Sequence, residues 1–358
     1  MAGTLGILVD KGRPYDLVIK LMDSLREEVQ RNEGKDGSPK GTDAPDEVVM
    51  EIGTIPLNDL GGVQLEDSAP EIMRAKGWDR MVYVTDLPAA AHRPIVSQSA
   101  HSARAFLLSL PAFGMLRAKR GLKEELLHIC RGQTPGAGEE EHVVDHVTGG
   151  DPQAASTRVL NGRGRTVRLL LGMVACNRPL HFVKVLSGCL ALGVATGGFG
   201  IFYGSVWQMS HMVSYFRLGI ISFMAVFALT TWLILHNNLW NKWQDSDYDA
   251  GDRWKNRIDN LATAITVAIA SLAIYFLIFI LMLIVSWTVV PVEYFSQQIS
   301  DSVNFKDYVD LAWFAASLGC MGGALGAGFD SEEAIRNATY RRRRVRRQKI
   351  EDAYSTKQ

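Results

Sequence analysis

Residues 261–290 read LATAITVAIASLAIYFLIFILMLIVSWTVV, thirty consecutive positions without a charge, a proline or a glycine. No soluble domain has a core thick enough to bury such a run on every side, so the stretch reads as a membrane span. At about 1.5 Å per residue it is roughly 45 Å long, against about 30 Å of hydrocarbon. Tilt alone would have to approach about 50°, beyond the usual range of about 0–40°, so its ends reach the headgroup zone. With neither charge nor glycine, it reads as a lipid-facing wall rather than a pathway.

Three more spans are predicted around it, at 182–206, 218–235 and 311–328, which makes the stretch the third of four. Seven of the eight Trp lie from Trp207 onward, where an aromatic belt belongs. The first connection (207–217) has one basic residue, Arg217, and the last (291–310) has only Lys306. The middle connection carries Lys242, Arg253, Lys255 and Arg257, and the tail contains RRRRVRRQK. The positive-inside rule therefore puts both termini and the middle loop in the cytoplasm of a plasma (inner) membrane protein. Near an anionic leaflet, Arg341, Arg342, Arg343, Arg344, Arg346 and Arg347 are headgroup ligands worth about 1 kcal/mol each. That position, directly after a span, favours lipid over nucleic acid as their partner. The balanced total of 38 Lys+Arg and 38 Asp+Glu averages a polar half with an apolar one.

The first and fourth spans are rich in glycine. Gly193 and Gly197, Gly200 and Gly204, Gly319 and Gly323, and Gly322 and Gly326 are GxxxG pairs. Lipid supplies no hydrophobic drive between helices, so these residues are expected to let the first and fourth helices pack together or to form a subunit interface in a homo-oligomer. No Asp, Glu, Lys, Arg or His falls inside a span core, which disfavours proton-coupled transport and voltage sensing.

The amino-terminal half is polar and mixed. MAGTLGILVD lacks the basic n-region and long apolar run of a signal peptide. TLGILV (4–9), residues 48–55 and MVYVT (81–85) read as strands. Helical periodicity runs over 15–32, residues 68–76 allow a short helix, and 113–130 is again helical. Apolar runs at 93–96 and 105–110 lie between. The β-α-β-α-β order favours parallel strands with right-handed crossovers. The expected fold class is thus an α/β soluble domain, with a small, mostly parallel sheet in Rossmann-like order, plus an all-α membrane domain of four helices. The expected layout is a cytoplasmic α/β domain (1–130), a flexible linker (131–164), an interfacial amphipathic helix (165–178), a transmembrane domain (179–330) and a basic cytoplasmic tail (331–358). The segment 165–178 serves equally well as the last helix of the soluble domain. Cys130, Cys176, Cys189 and Cys320 are scattered, without the spacing of a zinc site or disulfide framework.

Candidate chemistry is sparse. Asp10 and Asp86 each follow a strand, where parallel sheets bind ligands, and Lys11 and Arg13 precede a helix start that favours anions. A phosphate or carboxylate beside Asp10, Lys11, Arg13 and Asp86 is the sharpest site the residues offer. Asp at a strand end also commonly caps a turn. No GxGxxG or Walker loop is present. His142 and His146 stand four apart, but Asp145 replaces the Glu of inverted zinc-protease motifs and no third ligand is evident, so no metal site is assigned. Ser97, Ser99, His101 and Ser102 lack a GxSxG elbow and read as a polar turn.

The LGILVD start, GWDRMVYVTDLP, LLLGMVACNRP and the glycine-rich last span with GFDSEEAIR together resemble a family of actinobacterial-type four-span membrane proteins with an amino-terminal cytoplasmic α/β domain. The resemblance implies this architecture and brings no established reaction or cofactor. A folate-cycle dehydrogenase label attached to such proteins needs a dinucleotide fingerprint, which this sequence lacks. The leading functional expectation is a membrane-anchored sensory or scaffold module that engages a cytoplasmic protein or small anionic ligand. The alternatives are a membrane-tethered enzyme on a phosphorylated or lipid-linked substrate and a ligand-gated membrane-perturbing effector. Catalytic residues and cofactors are not legible.

Overall fold

The computed structural model describes residues 3–33, 44–56, 63–88, 95–100, 104–133, 157–160, 164–240 and 250–327. The chain divides into two compact units, Met1–Cys176 with Asp245–Ile258 and Arg342–Gln358, and Asn177–Gln244 with Asp259–Arg341. The basic arginines of 341–347 and the His142–His146 pair lie outside the described residues.

In the first unit the strands are β1 (Thr4–Val9), β2 (Glu47–Ile52), β3 (Arg80–Thr85), β4 (Ile95–Ala100), β5 (Ala105–Ser109) and β6 (Thr157–Val159). The helices are α1 (Arg13–Ile19), α2 (Met22–Glu33), α3 (Leu65–Lys76), α4 (Gly114–Cys130) and α5 (Arg165–Asn177). The sheet order is β2-β1-β3-β5-β4-β6. The first four of these pair in parallel, while β4 runs antiparallel to both β5 and β6. The sheet is therefore mixed, and its parallel part has the order 2-1-3 with β5 next, not the 3-2-1-4 of a Rossmann sheet.

Strand alternation sets the two faces. Leu8, Met81, Tyr83, Ala105 and Leu107 point to one side, where Leu65 and Ala69 of α3 and Trp78 cover them. Gly6 is on that face too, and the Trp78 indole lies where a Cβ would stand. On the other side Arg80 donates to the Ile129 carbonyl of α4 at 3.3 Å and lies over the Phe106 ring. The helix expected over 15–32 is two helices. Leu21 N–H donates to the Val18 carbonyl at 2.8 Å in the turn between them. The apolar spacing runs on through that turn, so periodicity alone does not show it. The inner side of α5 is also buried: Leu169, Met173, Val174 and Cys176 are covered, and Gly172 meets the backbone of Pro111.

The second unit holds α6 (Pro179–Val185), α7 (Ser187–Ile201), α8 (Gly204–Met212), α9 (Tyr215–His236), the greater part of α10 (Ala250–Val289), α11 (Val292–Ile299) and α12 (Phe305–Gly326). Among the described residues three helices are long and apolar enough to cross a bilayer: Tyr215–His236, Asn256–Val289 and Phe305–Gly326. A fourth crossing exists if Arg165–Val185 and Ser187–Ile201, bent by 54° at their junction, count as one. The run 182–206 is thus not one straight helix. Leu186 separates α6 from α7, and Phe202–Tyr203 separates α7 from α8. The connections expected at 207–217 and 291–310 also contain short helices, α8 and α11.

The glycines bring α7 and α12 into backbone contact. A Cβ on Gly319 would lie 2.5 Å from the Gly193 carbonyl oxygen, and one on Gly323 2.8 Å from that of Cys189. Gly326 faces the Gly188 carbonyl in the same way, and Gly197 that of Ala315. Ile278 and Met282 of α10 close the seam against Gly193 and Gly197. Gly322 lies against Thr196, Gly204 against Gln298, and Gly200 makes only an ordinary contact with Leu318. The charge-free stretch is accordingly two-sided. Val267, Ala270, Ile274, Ile278 and Met282 are buried, while Leu272, Phe276 and Ile284 are exposed.

This seam separates two substitutions of equal chemistry. Gly319→Ala forces the α7 and α12 backbones apart and should cost about 1–3 kcal/mol of packing, enough to outweigh the gain of about 1 kcal/mol in helix propensity. Gly198→Ala, with nothing within 4 Å of its Cβ, should be neutral or slightly stabilising. Thermal unfolding of the full chain in nanodiscs reads the difference; equal melting temperatures would refute the seam.

Candidate functional site

Four strands deliver their carboxyl ends to one edge of the sheet. The chain leaves β1 toward β2 on one side and β3 toward β5 on the other, so the direction of strand succession reverses between β1 and β3. In open α/β sheets that reversal opens the edge between the two strand ends. Asp10 and Asp86, the residues after β1 and β3, stand there side by side. The Asp86 N–H donates to Asp10 Oδ2 at 3.3 Å, and the Asp10 N–H to the Val84 carbonyl at 3.1 Å. Tyr83 Oη donates to Asp10 Oδ1 at 2.8 Å, and Thr54 Oγ1, just past β2, does so at 3.4 Å. One carboxylate therefore ties together the ends of β1, β2 and β3.

The neighbouring turn is fixed by hydroxyls. Leu87 N–H donates to Thr85 Oγ1 at 3.1 Å, and Ser109 Oγ donates to the Leu87 carbonyl at 2.9 Å. Asp10, Thr85, Asp86 and Ser109 are all buried. Asp10 and Asp86 thus hold the edge from beneath rather than facing solvent. Lys11 is exposed at the surface of the same turn. Gly12 follows at φ 117° and ψ −138°, a conformation only glycine adopts at low cost. Arg13 donates from Nη2 to the Met115 carbonyl at 3.2 Å, which ties this turn to the start of α4. The helix that follows, α1, has seven residues, so its dipole adds little.

Of the four sequence-predicted residues, the structure brings Asp10 and Asp86 into contact, leaves Lys11 accessible, and engages Arg13 with backbone. Tyr83, Thr54, Thr85 and Ser109 were not singled out in the sequence. Thr85 and Ser109 signal only as polar residues ending apolar strands, while Tyr83, inside β3, and Thr54, beyond β2, carry no such signal. Ser97 and Ser99 lie within β4, not in a turn, and His101 and Ser102 fall outside the described residues. An open groove of about 770 Å³ lies elsewhere, between α2 and edge strand β2, lined in part by Met22, Arg26, Val29 and Met50. It lies at the amino-terminal end of β2 and, although Asp23, Asp46 and Glu47 line it, no Ser, Thr or Tyr hydroxyl does, so the strand-end edge is the better candidate.

The membrane helices contain polar groups that hydropathy hides. Trp313 Nε1 donates to Ser222 Oγ at 2.6 Å, and Tyr275 Oη lies 2.9 Å from both Ser222 Oγ and Ser317 Oγ. These bonds join α9, α10 and α12. At the end of α8, His211 Nδ1 is 3.0 Å from Asp307 Oδ1, and its Nε2 is 3.8 Å from Asp301 Oδ2. Asp307 also accepts the Asn304 N–H at 2.8 Å, capping the start of α12. Among the described residues no group of three or more His, Cys, Asp or Glu is arranged to hold a metal.

Burial, with the Glu28 carboxylate adding to it, pushes the Cys130 thiol up to about 12. Comparison with protein-family models, with curated proteins and with solved structures gives no match.

Two measurements check this geometry. Tyr83→Phe removes one hydrogen bond to a buried carboxylate and should lower stability by about 1–3 kcal/mol; an unchanged melting temperature would mean that the node carries no load. Cys130 is buried and burial pushes its thiol well above the ordinary cysteine range, so at pH 8 iodoacetamide should leave it unmodified until denaturant is added.

Proposed function

We propose that this chain is a membrane-anchored binding module whose sheet domain takes a small anionic ligand at the β1–β3 strand ends, on the cytoplasmic side. The observation that carries the reading is the Asp10 node. Its hydrogen bonds to Tyr83, Thr54 and the Asp86 amide fix the two turns on either side of the switch point. A site built on fixed turns is preorganised, so ligand binding does not have to order them. Lys11 supplies an accessible cation there, and Gly12 keeps the backbone bare beside it. The reading also rests on position in the sheet, which is a fold-level argument for a site and not for a reaction. The membrane helices supply attachment, with the soluble unit and both termini on the inner face by the distribution of Lys and Arg.

A thermal-shift series on the full chain tests it, with inorganic phosphate, pyrophosphate, a mononucleotide and a dicarboxylate as probes. A ligand at a hundredfold excess over its Kd adds about 2.7 kcal/mol, so at least one probe should raise the melting temperature by several degrees. Lys11→Ala should abolish that rise while leaving the unliganded transition within a few degrees of the parent, whereas Gly12→Ala, strained at a φ of 117°, should abolish the rise and also lower the unliganded transition. A panel in which no probe moves the transition, or a shift indifferent to Lys11, sinks the proposal.

A further inference from the structure

The amphipathic helix α5 turns its most apolar side inward, and what it leaves outside joins a second surface. Gly114, the first residue of α4, lies against Arg168 of α5, where a Cβ would stand 2.9 Å from Arg168 Cγ. Around this contact four large apolar side chains face outward: Met115 and Leu116 of α4, and Val167 and Leu171 of α5. They are 52%, 93%, 58% and 44% exposed. A lone exposed apolar residue is ordinary, but four about a single helix contact form a patch. The flanking residues carry one sign of charge. GMLRAKRG (114–121) and RTVRLLL (165–171) hold four arginines and one lysine and no acid. Arg117, Lys119 and Arg165 are exposed beside the patch, while Arg120 pairs with Glu124 at 2.8 Å.

Apolar side chains ringed by cations match the chemistry of an anionic lipid surface, in which the first enter the interface and the second meet headgroups. The connectivity favours the same partner. Arg178 alone separates α5 from α6, after which α7 and the other apolar helices begin. A surface tethered so closely to the membrane helices meets the bilayer at high effective concentration, so a modest patch suffices.

We infer that the α4–α5 surface of the sheet domain docks on the anionic leaflet. Met115, Leu116, Val167 and Leu171 enter the headgroup region, and Arg117, Lys119 and Arg165 bind lipid phosphate. This inference is independent of the ligand reading at the strand ends. It uses a different surface and is tested without a soluble ligand.

All four native cysteines are buried, so Leu116→Cys offers a selective labelling site at a position that supports no core. An environment-sensitive fluorophore at this position is followed in the full chain, in nanodiscs of phosphatidylcholine alone or with phosphatidylserine. Lipids nitroxide-labelled at the headgroup serve as quencher. Quenching at position 116 should be at least about threefold stronger in discs with phosphatidylserine. It should fall to the phosphatidylcholine level in the Arg117→Glu/Lys119→Glu/Arg165→Glu variant. The same label at Glu71→Cys, on the helix covering the opposite sheet face, should stay unquenched. Absence of lipid quenching at 116 overturns the inference. So does protection of 116 from aqueous iodide without lipid quenching, which marks a protein partner or a second copy instead.

Discussion

In hydrocarbon a helix has satisfied its own backbone and gains nothing from burying apolar surface against another helix, because lipid is equally apolar. What remains is close contact and the dispersion it brings. The membrane unit depends on this constraint. Glycines at 193, 197, 319, 323 and 326 let α7 and α12 approach until carbonyl oxygens of one meet Cα atoms of the other. Only with that seam closed can Ile278 and Met282 of α10 seat against it, and α10 then brings Tyr275 to Ser222 and Ser317. The hydroxyl cluster is thus a second lock on an arrangement that glycine makes possible. At one end of these helices Trp207 packs edge-on against Tyr294 and Phe295, and Tyr308 donates to the Val290 carbonyl at 2.8 Å.

The sheet domain solves a different problem, because water provides the drive and the cost lies in burying polar groups. Asp10 is nearly inaccessible, yet its carboxylate, at the end of β1, receives a phenol and a backbone amide from β3 and the turn after it, and a hydroxyl from just past β2. A buried carboxylate so supplied orders the edge from which it comes, and removing one donor leaves charge under-served. The same edge is where strand succession reverses. A structural node and a candidate binding edge therefore coincide, and this coincidence gives the domain its functional reading.

Local signals carried much of this into the sequence. β1, β3 and α4 are legible because continuous or periodic apolar residues end at Asp10, Asp86 and Arg131. The long charge-free run announces α10 with no help from its surroundings. What stayed hidden depends on partners far away in the chain. Tyr83 and Asp10 are 73 positions apart, and Arg13 meets Met115 across 102. Strand direction was hidden for the same reason, since β4 looks like any apolar run until β5 and β6 flank it. The break at Lys20–Leu21 escaped because Val18, Leu21, Met22 and Leu25 keep helical spacing across it. The GxxxG pairs were readable as packing surfaces, with the first and fourth spans expected to meet each other or a second subunit, but that Ile278 and Met282 of α10 would close the seam was not. Nor could hydropathy show that α5 buries Leu169 and Met173 and leaves Val167 and Leu171 outside.

The claim that the β1–β3 strand ends form a ligand site is tested most directly by a density map of the full chain extracted with its native lipids and metabolites. The account predicts density between Lys11 and the turn at residues 85–88 that no protein atom explains, within hydrogen-bonding distance of the Lys11 ammonium. A map in which the chain's own side chains fill that edge, with Lys11 turned to solvent and nothing left to assign, would contradict it.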